Sequence, residues 1–242
     1  LAEFGLIGKS LQHSFSKNFF TKKFETEKLP YTYENFEIDQ VGDVGYIIDK
    51  NPELRGFNVT IPYKLDILPF LDELSPEAKE IGAVNTVKIK ERRLIGYNTD
   101  VFGFVTSIRH LINNRKQALI LGTGGASKAI AAGLKELGIN YTFVSRTPGK
   151  GTISYRDAAE WLESFQIVIN TTPCGTFPNI KEKPPLSLER MTENHLIYDL
   201  IYNPELTAFL KEAHDRKGVY KNGLDMLTLQ AQRAWKIWTT EQ

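Results

Sequence analysis

The chain has 242 residues, 41% of them hydrophobic and 24% charged, with a formal net charge of +1. That balance suits a globular protein with a proper core, in one large or two small domains, and gives no electrostatic case for a nucleic-acid or anionic-membrane partner. No apolar run approaches the roughly 18 residues needed to span a bilayer, and the single cysteine, Cys174, rules out an internal disulfide, so we expect a cytoplasmic protein.

Strand-like and helix-like segments alternate along the chain, the sign of an α/β protein. "FGLIGK" (4–9) reads as a strand, followed from about Ser16 by a helix with Phe20 and Phe24 on one face. "YTYENFEI" (31–38) reads as the next strand, and "VGDVGYIID" (41–49) spaces Val41, Val44, Ile47 and Ile48 as a helix does. In "GFNVTIPYKLD" (56–66) a buried strand runs from Phe57 to Ile61 and stops at Pro62, which has no N–H to donate. Lys64 follows. Taken alone, it reads as a solvated lysine at the head of a helix. Ser75 and Pro76 mark a helix start, as cap and first helical residue. "VNTVKIK" and "RRLIGYN" read as a hairpin turning at Glu91 and Arg92.

Asp100 opens a strong helix, with Val101, Phe104, Val105, Ile108, Leu111 and Ile112 on its apolar face. After the polar turn "NNRKQ" come the strand "ALILG" (118–122), a glycine-rich turn, a helix to about Leu137 and the strand "YTFVSR" (141–146). "QIVINTTP" (166–173) and "HLIYDLIY" (195–202) are further strands, and the last helix runs from about Leu224 to Trp238. We place residues 1–100 in a small α/β domain and residues 101–221 in a doubly wound parallel sheet. Residues 222–242 return to the first domain, where the C-terminal helix lays down its face of Leu227, Ala231, Ala234, Trp235 and Trp238.

"LILGTGGASKAI" has the pieces of a pyrophosphate site. Gly122 allows the tight turn out of the strand, Gly124 lets backbone approach a diphosphate, and Gly125 lies at the helix entry with its free N–H groups. The third glycine of the usual fingerprint is Ser127. A plain glycine-rich turn is the alternative, but the flanking strand, helix and second strand favour a dinucleotide. That second strand ends in "SRTPGK" without the carboxylate that holds the ribose in NAD sites. Arg146, Thr147 and Lys150 suit a 2′-phosphate instead, so NADP is the expected cofactor. A solvated basic loop is the competing reading.

Polar, neutral side chains crowd the ends of the other strands. Ser14 and Ser16 sit in "LQHSFSK", where one reads as a helix cap or both as carboxylate ligands. Asn58 and Thr60 alternate in the third strand, Asn85 and Thr86 interrupt "GAVNTVKI", and "GYNTD" groups Asn98, Thr99 and Asp100. Gln230 lies on the apolar stripe of the last helix, where an amide needs partners. Each has a bland explanation. Together they suit a small polyhydroxylated ligand.

These motifs resemble the shikimate dehydrogenase family. The matching pieces are "GKSLQHSFS", "GFNVTIPYK", "GAVNTV", "GYNTD", "GTGGAS", "SRT", "NTTPCG", "YDLIYNP" and "NGLDMLTLQ", from about residue 5 to 230. The resemblance implies a substrate-binding α/β domain and a Rossmann-type NADP domain. It implies reversible NADPH-dependent reduction of 3-dehydroshikimate to shikimate, on the route to chorismate and the aromatic amino acids. Ser14 and Ser16 would bind the substrate carboxylate, and Thr60, Asn85 and Gln230 its hydroxyls, with Asn58 beside them and Tyr202 nearby. Lys64 and Asp100 would form the catalytic pair, which reverses the solvated-lysine reading of Lys64. Gly122, Gly124, Gly125 and Ala126 would cradle the pyrophosphate. Ser145, Arg146, Thr147 and Lys150 would meet the adenosine end, and Thr171 and Gly223 would complete the cofactor set. Only small-molecule partners are implied, in a monomer or homodimer, with no metal. A quinate or quinate/shikimate dehydrogenase is the nearest alternative, and a non-catalytic dinucleotide-sensing regulator a more distant one. Three features depart from the family pattern: Lys17 stands where proline is usual, Ser145 where asparagine is common, and the chain is short.

Overall fold

Among the described residues, 3–12 and 14–240, the computed structural model has twelve strands and eight α-helices in alternation. They fall into two units, one reaching to Asp100 and resuming at Thr228, the other running from Val101 to Leu227. No helix of the described residues is long and apolar enough to cross a membrane.

The first unit contains β1 (Phe4–Gly8), α1 (Phe15–Thr26), β2 (Tyr33–Glu37), α2 (Val44–Lys50), β3 (Gly56–Val59), β4 (Glu73–Leu74), α3 (Pro76–Ile81), β5 (Thr86–Lys90) and β6 (Arg93–Tyr97). Its sheet has the order β2-β1-β3-β5-β6-β4. β1 runs parallel to β2 and β3, whereas β5 is antiparallel to β3 and β6. The hairpin turns at Glu91 and Arg92, whose φ angles of 50° and 65° match the twist that a two-residue connection needs. Ser75 caps α3 by accepting from the Ala78 N–H, with Pro76 at the first helical position. β3 ends earlier than the apolar run suggests. The Tyr63 N–H donates to the Thr60 carbonyl at 3.0 Å, closing a turn that takes Ile61 out to solvent, 65% exposed. Lys64 therefore lies in a turn and not at a helix head.

α4 (Asp100–Ile108) follows, burying Val101, Phe104, Val105 and Ile108 before tightening into a 3₁₀ turn at Arg109–Leu111. The second unit continues with β7 (Gln117–Leu121), α5 (Gly125–Glu136), β8 (Asn140–Val144), β9 (Thr152–Ile153), α6 (Tyr155–Glu160), β10 (Ile167–Asn170), β11 (Leu196–Asp199), α7 (Ala208–Asp215) and β12 (Val219–Lys221). All pairings in its sheet are parallel, in the order β12-β11-β10-β7-β8-β9. The direction of winding reverses between β7 and β10, the place where open α/β sheets take ligands at their carboxyl ends. Apart from Gln117 at the start of β7 and Asn170 and Asp199 at the carboxyl ends of β10 and β11, the central strands are buried apolar runs, as a sheet covered on both faces requires.

α8 (Leu224–Thr239) begins in the second unit and enters the first at Thr228. Ala231, Ala234 and Trp238 join Phe4, Phe20, Phe24 and Tyr33 in one cluster, while Ile7, Phe57, Val59, Tyr63 and Ile67 form another. The Trp238 ring stacks on Phe4 at 4.9 Å, and its indole N–H donates to the Val87 carbonyl at 2.9 Å. Burial of an aromatic with its polar edge satisfied makes the end of α8 a structural anchor for this unit.

Candidate active site

The polar strand ends of the first unit meet in one buried network. Asn85 is its hub, fixed on both sides by its own backbone: its N–H donates to the Tyr97 carbonyl and its carbonyl accepts from Val59. Its side-chain Oδ1 accepts from the Thr99 N–H at 2.8 Å, which settles the orientation of the amide. Nδ2 therefore faces Asp100 Oδ1 at 2.8 Å, with Thr99 Oγ1 at 3.0 Å and Gln230 Oε1 at 3.3 Å beside it. Gln230 thus finds the partners that an amide on a buried stripe requires. Asn58 donates to the Asn85 carbonyl and to Thr86 Oγ1, and accepts from the Tyr33 hydroxyl at 2.8 Å. Burial holds the Tyr33 phenol well above its ordinary pKa, against a contact from Ser16 that acts the other way.

At one end of this network Lys64 Nζ meets Asp100 Oδ2 at 2.6 Å. Both side chains are largely buried, 16% and 6% exposed, so removing either one would strand the other's charge away from water, which is costly. Asp100 is the first residue of α4, where the helix dipole favours a carboxylate, and its backbone N–H is capped by Asn98 Oδ1. Its two oxygens are divided: one takes the Asn85 amide, the other the lysine. Asp100 is the only partner of Nζ among the described residues, so two of the three ammonium hydrogens remain for a ligand.

Ser14 is the N-cap of α1, its Oγ accepting from the Lys17 N–H at 3.1 Å. A proline at position 17 could not make that bond, so the cap depends on the departure from the family pattern. Since Oγ only accepts there, its hydrogen is left to donate. Ser16 is buried one helical step on, and Thr60 is half-buried just past β3. Neither Ser14 nor Thr60 joins the Asn85 network.

The second unit holds the remaining site residues. Gly122 has φ +105°, a conformation that favours glycine, and a Cβ there would lie 2.9 Å from Thr171 Oγ1. A Cβ on Gly124, the N-cap of α5, would meet nothing within 4 Å, and the first turn of α5, with Gly125 and Ala126, carries no acidic residue. This is room and charge for a phosphate against backbone N–H groups. Ser127 is buried, its hydroxyl donating to the Gly124 carbonyl at 2.6 Å, so the small residue serves packing at that place. Beyond β8, Ser145 Oγ accepts from the Thr147 N–H and shapes a tight turn that leaves Arg146, Thr147 and Lys150 exposed. These residues fit a dinucleotide carrying an extra phosphate. Thr171 donates to the Leu121 carbonyl at 2.6 Å, beside the glycine turn. Tyr202 follows β11, half-buried, and burial raises its pKa. Gly223 is buried, and a Cβ on it would come 2.0 Å from the Leu200 carbonyl oxygen.

Thr86 and Thr99, which the sequence groups with the polar strand ends but without an individual contact, belong to the network, and so does Tyr33, which the sequence does not single out. Thr86 and Thr99 are visible as polar breaks in apolar runs, but Tyr33 reads as an ordinary aromatic in a strand. Asn170 and Asp199 are also fully buried polar residues, at the carboxyl ends of β10 and β11.

The model of the shikimate dehydrogenase substrate binding domain matches residues 6–87. Over 254 residues the chain is 36% identical to a shikimate dehydrogenase (NADP(+)) from Methanococcus aeolicus, covering 97% of this chain and 91% of the relative. Among solved structures, shikimate dehydrogenase 1 from Peptoclostridium difficile matches with a TM-score of 0.88 at 37% identity, over 98% of this chain and 91% of that one. Shikimate 5-dehydrogenase from Thermus thermophilus, in complex with NADP(H) and shikimate, matches with a TM-score of 0.87 at 32% identity, over 99% and 94%.

Proposed function

The chain belongs to the shikimate dehydrogenase family, and we propose that Lys64 and Asp100 are the catalytic pair of its reaction. The protein is an NADP-dependent oxidoreductase that reversibly reduces 3-dehydroshikimate to shikimate in the shikimate pathway. The observation that carries the assignment of the pair is the 2.6 Å contact between Lys64 Nζ and Asp100 Oδ2, inside a shell of neutral polar side chains.

Reduction adds a hydride to the ring carbonyl carbon and a proton to its oxygen, turning C=O into CH–OH. NADPH, when bound, supplies the hydride. Lys64 Nζ donates a hydrogen bond to the carbonyl oxygen, opposes the negative charge that grows there, and delivers the proton. Oxidation of shikimate runs the same transfer backwards. Asp100 aims the ammonium and accepts from a substrate hydroxyl, and Asn85 keeps Asp100 in place, so the lysine is oriented before substrate arrives.

In this reading the hydroxyl hydrogens of Ser14 and Ser16 bind the substrate carboxylate. Thr60, Asn85 and Gln230 read its hydroxyls, with Asn58 behind them, and Tyr202 contacts the substrate. Gly122, Gly124, Gly125 and Ala126 hold the pyrophosphate, Arg146, Thr147 and Lys150 the 2′-phosphate, with Ser145 shaping that turn, and Thr171 and Gly223 lie along the cofactor. The unit that reaches to Asp100 and resumes at Thr228 serves as the substrate domain and Val101–Leu227 as the NADP domain, so the return expected at residue 222 comes six residues later. We read the partners as small molecules only, in a cytoplasmic monomer or homodimer. The formal charge of +1 and the single cysteine support this.

Turnover tests the reading. NADPH oxidation with 3-dehydroshikimate should exceed quinate oxidation with NAD by at least about tenfold in kcat/KM. The reverse order would make the protein a quinate dehydrogenase.

A further inference from the structure

We propose that Asp199 is a positioning residue for the cofactor side of this reaction: its buried carboxylate ties together the loops that carry Thr171 and Tyr202. The proposal rests on the reading of the second unit as the NADP domain.

Asp199 ends β11 and is 0% exposed. One oxygen accepts from Asn170 Nδ2 at 2.9 Å and from the Ile201 N–H at 3.1 Å, and the other from the Thr207 hydroxyl at 2.7 Å. Against an ionised carboxylate, which only accepts, the directions of these bonds are fixed. Asn170 Oδ1 already accepts from the Thr172 N–H and hydroxyl, so its amide must face Asp199. Ile201 offers a backbone N–H. Thr207 Oγ1 accepts from the Leu210 N–H as the cap of α7, which leaves its hydrogen for the carboxylate. Three chain segments therefore converge on one side chain.

The segments it fixes are those of the proposed site. Through Asn170 the tie reaches Thr171 and Thr172, both within 3.2 Å of a Cβ placed on Gly122 in the glycine turn. Through Ile201 it reaches Tyr202, the next residue, and Gly223, whose N–H donates to the Ile201 carbonyl at 3.1 Å. β7 and β10 are neighbours at the reversal of the sheet, so these loops line the edge where such sheets take a ligand.

No cation pairs with Asp199 among the described residues, and burial pushes its carboxyl up to about 6. A charge kept in that setting is disfavoured unless its acceptors are needed. An amide would accept for two of the three donors and leave the Thr207 hydrogen without its acceptor. An apolar residue would strand all three. The carboxylate is thus matched to the loops it ties and not to an ion pair.

The test is a titration of the full-length protein with NADPH, followed by the fluorescence of bound cofactor, in parallel with thermal unfolding. Asp199→Ala should raise the Kd for NADPH by at least about tenfold and Asp199→Asn by about threefold, since the amide keeps one acceptor oxygen. Should Asp199→Ala not fold, Asn170→Ala cuts the tie to Thr171 and Thr172 and should raise the Kd by about fivefold. Variants that melt earlier yet bind NADPH with wild-type affinity would show a purely structural Asp199 and overturn the proposal. A wild-type protein that fails to bind NADPH at all would instead overturn the functional reading, and the role of Asp199 with it.

Discussion

Two buried carboxylates divide the molecule between them. Asp100, in the first unit, faces an ammonium at 2.6 Å and an amide at 2.8 Å. Asp199, in the second, faces only neutral donors, and its carboxyl is pushed up to about 6. The difference separates two uses of a buried charge. A carboxylate with a counter-ion can orient a proton donor, because the charge-assisted bond fixes the direction of the donor. A carboxylate without one can only collect hydrogen bonds, and its charged form costs stability as pH rises.

The comparison breaks most sharply at Asp100. Asp100→Asn would turn an N–H toward Lys64 or toward Asn85 and lose the aim of the ammonium. Turnover of shikimate oxidation at saturating substrates should fall by more than about 100-fold. A fall of less than about threefold would put Asp100 on the same footing as Asp199.

Stability against pH sharpens the other side. The folded Asp199 carboxyl titrates near 6 against an ordinary 3.8, so the native state keeps its proton longer than the unfolded chain. The stability this lends is complete below 3.8 and is lost as pH rises through 6. Relative to wild type, Asp199→Asn should therefore gain roughly 2 kcal/mol between pH 4 and 7, read from urea unfolding at each pH. A difference that stays constant over that window would mean that Asp199 titrates as an ordinary aspartate.

The smallest expected effect concerns cofactor choice in the second unit, through the exposed cation proposed for the 2′-phosphate. Arg146→Ala should weaken NADPH by about tenfold and NADH by less than about twofold, measured as the two KM values. Equal losses would remove Arg146 from the 2′-phosphate.

How much of this can be read from the sequence follows from how local each signal is. The glycine turn, the Ser75 cap, the Glu91–Arg92 hairpin and the apolar face opened by Asp100 are set by neighbours in the chain, and the structure contains each of them. β9 and β12, of two and three residues, are too short to show a period, and α7 does not stand out from its flanking loops. The third strand reads as longer than it is because Ile61 continues an apolar run, while its turn depends on a bond from Tyr63 to Thr60. Lys64 and Asp100 lie 36 residues apart, and only the order of β3, β5 and β6 brings them to one place. Tyr33 and Asp199 are the hardest to read. Their hydroxyl and carboxylate gain meaning from Asn58, Asn170 and Thr207, which no local pattern links to them.

The central claim is that Lys64 acts on the substrate oxygen from a position fixed by Asp100. Its most direct test is Lys64→Ala, with turnover of 3-dehydroshikimate and shikimate Kd measured on the same preparation. The account predicts a loss in turnover of more than about 100-fold with a change in Kd below about fivefold, because the contact strengthens in the transition state. Near wild-type turnover in that variant would contradict it.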